Sequence, residues 1–95
     1  MYARVTHYKM KPESVEIATA MLEQMKDPIM SLPGLKQFIN SINADGTGCV
    51  YTIVESKEIS DANQNAVASI WAQFSEHLEQ APEAQGFDVI ANWSK

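Results

Sequence analysis

The chain has 95 residues, enough for one domain that buries about 60 to 65% of the surface its unfolded form exposes. Twelve acidic residues against seven basic ones give a net charge of −5, which disfavours a nucleic-acid partner, since phosphate binding needs clustered Lys and Arg to displace counterions. No apolar run approaches the roughly 20 residues of a membrane span, the start Met1–Thr6 lacks a basic segment followed by an apolar one, and Cys49 is the single cysteine, so we expect a cytoplasmic protein that begins at Met1 and has no membrane segment.

Tyr2–Met10 is rich in aromatic and β-branched residues and reads as the first strand, which Lys11-Pro12 ends because proline cannot donate to a ladder. Glu13 and Ser14 open a helix. Val15, Ala18, Leu22, Met25 and Ile29 recur there at three- and four-residue spacing, and Ile17 and Met21 widen the stripe. Asp27-Pro28 changes its direction, either as an interruption or as the cap of a fresh turn, and Leu32-Pro33-Gly34 stops it.

Leu35–Ile42 and Cys49–Glu55 read as the two strands of a hairpin. A two-residue type I′ turn at Asp45-Gly46 sets Ile42 opposite Cys49, Asn40 opposite Tyr51 and Phe38 opposite Ile53. That register gathers the bulkier side chains on the face expected beneath the helices. Gln37, Ile39, Ser41, Val50, Thr52 and Val54 then lie on the other face, although a bulge at Gly48 exchanges the two. Ser60 or Asp61 caps a second helix with the stripe Val67, Ile70, Trp71, Phe74 and Leu78. Gly86–Trp93 supplies the last strand.

The order is βαββαβ over residues 1–95, a single ferredoxin-like α+β domain with a four-stranded antiparallel sheet. Two helices cover one side of such a sheet, yet the strands carry apolar residues on both parities. The uncovered face therefore predicts a homodimer.

Arg4 is the most discordant residue, because a charge in mid-strand needs water, a carboxylate or a ligand; it is either an ion-pair partner at the subunit contact or an anchor for an anion in a cavity. His7 has the opposite parity and an imidazole that titrates near neutrality, so it is the alternative candidate for chemistry. A regular strand sends only one of the two into a given cavity. Trp71 belongs to the helix stripe, where it either packs in the core or caps a pocket between helix and sheet, His77 falls on the solvated flank of its helix, and Trp93 predicts a tail that docks against the partner subunit. His7, His77 and Cys49 stand at no metal-ligand spacing, and Gly46 and Gly48 punctuate a hairpin and build no phosphate loop.

Ala3-Arg4-Val5-Thr6 leading to Lys11-Pro12, the segment Pro28-Ile29-Met30-Ser31-Leu32-Pro33-Gly34, and Val54-Glu55-Ser56-Lys57 together resemble the antibiotic biosynthesis monooxygenase-like family of dimeric α/β barrel proteins. The likeness spans the chain. Val54 stands where that family often has a tryptophan, and Ala68-Ser69-Ile70-Trp71-Ala72 is most similar to its small uncharacterised members. The resemblance implies a dimer with a pocket in each subunit and cofactor-independent oxygenation of a small aromatic or phenolic molecule, deprotonated and reacting directly with O2. Arg4 and Thr6, or His7 and Thr52, would then surround the ligand with Trp71. A noncatalytic small-molecule-binding or structural dimer module is the rival reading. Haem chemistry, which in related proteins uses an Asn, a Trp and a His, fits less well because no asparagine lies on the first strand.

Overall fold

Tyr2–Lys9 forms strand β1, the centre of the computed structural model, which describes residues 1–95. A 3₁₀ turn at Pro12–Ser14 leads into helix α1 (Val15–Gln24) and a short helix α2 (Lys26–Met30). Strands β2 (Leu35–Ile42) and β3 (Thr47–Val54) make a hairpin, helices α3 (Lys57–Ala62) and α4 (Gln64–Ala72) follow, and β4 (Glu83–Asp88) closes the chain. The sheet order is β2-β3-β1-β4 with every pairing antiparallel, the ferredoxin-like arrangement expected from the periodicities. No helix is long and apolar enough to cross a membrane.

The hairpin departs from the expected register by one residue. Asn43 N–H donates to Thr47 O at 2.9 Å and Gly46 N–H to Asn43 O at 2.9 Å, so Ala44, Asp45 and Gly46 form a three-residue loop. Only Gly46 takes positive φ, at 94°, the geometry of a type I turn closed by a glycine bulge. A type I′ turn needs positive φ at Asp45 as well, whereas here Asp45 keeps negative φ and its Oδ1 accepts from Thr47 N–H at 2.9 Å, an Asx turn that holds the longer loop. In consequence Ile42 pairs with Gly48, Asn40 with Val50 and Phe38 with Thr52.

The slip exchanges the faces of β3. Val50, Thr52 and Val54 lie with Phe38, Asn40 and Ile42 beneath the helices, and Cys49, Tyr51 and Ile53 join Ile39 and Ser41 on the open side. On β1 the covered side holds Tyr2, Arg4, Thr6 and Tyr8. Gly48 permits this packing: a Cβ there would strike the Tyr8 ring, which lies across the strand.

Both expected helices break in two. The first bends at Met25, ahead of Pro28. The second starts at Ser56, whose Oγ accepts from Ile59 N–H at 3.2 Å, and breaks at Asn63. Ser60 is therefore free of capping. Ala18, Met25, Ile29, Tyr8, Met10, Val50 and Phe74 form the core, whereas Ile17 points to solvent. The last strand begins three residues earlier than expected and stops at Asp88, because its only neighbour, β1, begins at Tyr2. Val89 N–H to Met1 O is the last bond of that edge. Beyond it Ile90 and Trp93 are exposed, so within the protomer the tail has nothing to dock on.

Candidate functional site

Alternation along β1 sends Arg4, Thr6 and Tyr8 into one space, a cavity of about 370 Å³ between the sheet and the helices. Its size falls in the range of small-molecule sites. The floor comes from β1, β2 and β3, the roof from α1, α3 and α4. Apolar side chains dominate the lining, and it contains no Asp, Glu, His or Lys. Arg4 is its one charged group.

Arg4 has no carboxylate partner. Its Nη1 donates to Ser60 Oγ at 3.3 Å, and Thr52 Oγ1 donates to the Arg4 carbonyl at 3.4 Å. Ser60 is buried, as is Asn63, whose Nδ2 donates to Pro33 O at 2.9 Å and ties the α3–α4 junction to the turn before β2. A half-buried guanidinium facing only neutral groups keeps most of its donors available for an anion.

At the other end Tyr8 is buried and donates from its hydroxyl to Asn40 Oδ1 at 2.6 Å. Burial pushes the Tyr8 phenol above its ordinary value of 10.0, outweighing the Asn40 hydrogen bond that lowers it, so Tyr8 is neutral at neutral pH and serves as a donor. Its ring meets Trp71 at a centroid distance of 5.4 Å, tilted by 56°, and Trp71 meets Phe74 edge-on at 6.5 Å.

Thus Arg4, Thr6, Thr52 and Trp71 line one cavity together. His7 is exposed on the opposite face, in a row with Cys49 on β3 and Glu83 on β4. His77, expected on a solvated flank, instead sits in a 3₁₀ turn after α4 with Nδ1 2.9 Å from Ser14 Oγ, away from the cavity lining. Ser60, Asn40, Asn63 and Gln64 also line the site and were not singled out from the sequence. Asn40 had left a signal, a polar residue in mid-strand at the parity of Phe38 and Ile42. Ser60 had left none, since a serine near a helix start reads as a cap.

No family model matches the chain, and no curated protein matches it in sequence. Solved structures do match. A protein of unknown function from Nitrosomonas europaea superposes with a TM-score of 0.82 at 14% identity, over 99% of this chain and 93% of its own. A structure named antibiotic biosynthesis monooxygenase gives a TM-score of 0.77 at 12% identity, over 96% and 100% of the two chains. A candidate antibiotic biosynthesis monooxygenase from Bordetella bronchiseptica gives 0.78 at 14% identity, over 95% and 97%. The resemblance read from the sequence thus holds for the fold along essentially the whole chain. Likeness at such identity carries architecture and leaves activity to the site.

Proposed function

We propose that the protein binds a small hydroxylated aromatic molecule in the cavity beneath α4 and acts on it as a cofactor-independent, monooxygenase-like enzyme. The observation that carries this reading is the unpaired Arg4, the sole charge in an otherwise neutral, largely apolar cavity. Such a charge, half-buried among neutral groups, favours the anionic form of whatever lies beside it.

The chemistry asks little of the protein. Loss of a ring proton leaves an electron-rich anion that reacts with O2; in an anthrone the ring CH₂ becomes C=O, one oxygen atom entering the product and the other leaving as water. The lining offers no carboxylate or imidazole to take the first proton. The proton then passes to water, and the pH profile follows the ionisation of the substrate, depressed by Arg4. Thr6 and Thr52 supply hydroxyls along the floor, and Trp71 supplies an aromatic wall.

The missing base also favours a second reading, a noncatalytic carrier that holds the same class of molecule. In both readings a second copy of the chain covers the open sheet face, where Ile39, Tyr51 and Phe87 are 46%, 38% and 46% exposed.

Oxygen uptake by the purified protein, measured with anthrone and a series of hydroquinones, separates the two. We expect uptake above the uncatalysed rate, a loss of about tenfold or more in Arg4→Met, and no change in His7→Ala. No uptake with any of these compounds, or equal rates in Arg4→Met and the unaltered protein, would sink the enzyme reading.

A further inference from the structure

The cavity is charged at one end and aromatic at the other, and each end is fixed by its own contact. At the first, Arg4 lies in a row with Thr52 and reaches Ser60 of α3. At the second, Tyr8 packs against Trp71 of α4, which is backed by Phe74. Arg4 and Tyr8 are four residues apart on one face of β1, a separation of about 13 Å at the rise of an extended strand. The helices above run the same way, Ser60 over Arg4 and Trp71 over Tyr8. Sheet and helices therefore define one long axis with the positive charge at its head.

What the head accepts follows from what surrounds it. No group in the lining removes a proton at neutral pH. A molecule that arrives already ionised pairs with Arg4 at once, whereas a neutral phenol must first give its proton to water. Carboxylic acids ionise near pH 4 and phenols near pH 10, to about a unit either way. The guanidinium also presents a planar fork that fits the two oxygens of a carboxylate, and its one side-chain hydrogen bond goes to a neutral hydroxyl.

The geometry points to an elongated aromatic carboxylic acid, of two or more rings, as the ligand class: the carboxylate pairs with Arg4 and the rings extend along β1 to Tyr8 and Trp71. This rests on the reading that the cavity holds an aromatic molecule. It adds that the charge met by Arg4 is a permanent one, which holds the ligand there before any other group on it ionises.

Three probes of similar shape test it: 2-naphthoate, 2-naphthamide and 2-naphthol. Their binding to the full-length chain is followed without oxygen, by Trp71 fluorescence in the Trp93→Phe variant and by calorimetry on the unaltered protein. We expect naphthoate to bind at least about tenfold more tightly than either neutral probe. Arg4→Met should remove that preference while still binding naphthamide, which shows that the variant is folded; Arg4→Lys should keep part of it. Equal affinity for naphthoate and naphthamide, or a preference that survives in Arg4→Met, overturns the assignment. Naphthoate preference without oxygen uptake in the earlier assay leaves the ligand class standing and removes the oxygenase. Uptake with neutral anthrones and no naphthoate preference does the reverse.

Discussion

Even-numbered residues of β1 point beneath the helices and odd-numbered ones point away from them, and the two sides of the same sheet are incomplete in opposite senses. The covered side is underfilled: α4 carries an apolar stripe of Val67, Ile70 and Trp71, yet none of its residues is fully buried, because a cavity lies below it. The open side is overexposed, with Ile39, Tyr51 and Phe87 facing solvent around the buried Ala3 and Ile53. Each defect fits a different complement. A space with one positive charge fits a small anion, and a broad mild surface fits another protein surface.

The most damaging way to break this contrast is to turn the hairpin over. Deleting Gly48 from β3 moves every later residue of the strand by one place and sends Cys49, Tyr51 and Ile53 under the helices in place of Gly48, Val50 and Thr52. We expect no cooperative thermal transition in circular dichroism; a deletion variant that melts like the parent would refute the register. Gly48→Val comes next, since its side chain displaces the Tyr8 ring from the cavity floor. An overpacked strand of this kind costs about 1–3 kcal/mol, and the melting temperature should fall by roughly 4–8 °C for each kcal/mol.

Tyr51→Arg sharpens the contrast from the other side. A charge on the open face should convert a dimer to a monomer in sedimentation velocity and leave naphthoate affinity unchanged, as the cavity lining excludes Tyr51. A dimer that persists would move the subunit contact elsewhere. The smallest effect belongs to the turn that sets the register. Thr47 N–H donates to Asp45 Oδ1 at 2.9 Å and holds that carboxyl below its ordinary 3.8. A depressed carboxyl stabilises the fold above its unfolded value and ceases to do so as pH falls through the folded one. Asp45→Ala should therefore melt slightly lower than the parent at pH 7, the gap closing on acidification below the ordinary carboxylate range.

Periodicity alone carried the element order, the sheet with one uncovered face, and the separation of Arg4 from His7, since all three depend only on which residues alternate. The hairpin register did not follow, because Asn43-Ala44-Asp45-Gly46 accommodates either turn and the difference lies in the conformation of Asp45, whose carboxylate accepts from Thr47 N–H. With it went the faces of β3, so Thr52 joined Arg4 instead of opposing it. The partner of Arg4 was hidden for a related reason. Ser56 and Ser60 are one helical turn apart, and nothing local says which caps the helix and which faces inward. The strand end was hidden too, since β4 stops where β1 runs out.

Arg4 has a last consequence, for rates. The chain as a whole carries a net charge of −5, while the interior it encloses is positive. An anion approaching from solution is repelled by the exterior and attracted only once it has passed the mouth. Added salt screens the long-range repulsion more than the short contact within, because the screening length is about 8 Å at physiological ionic strength. Entry of an anionic ligand should therefore quicken as salt rises, the opposite of what an exposed basic site would show.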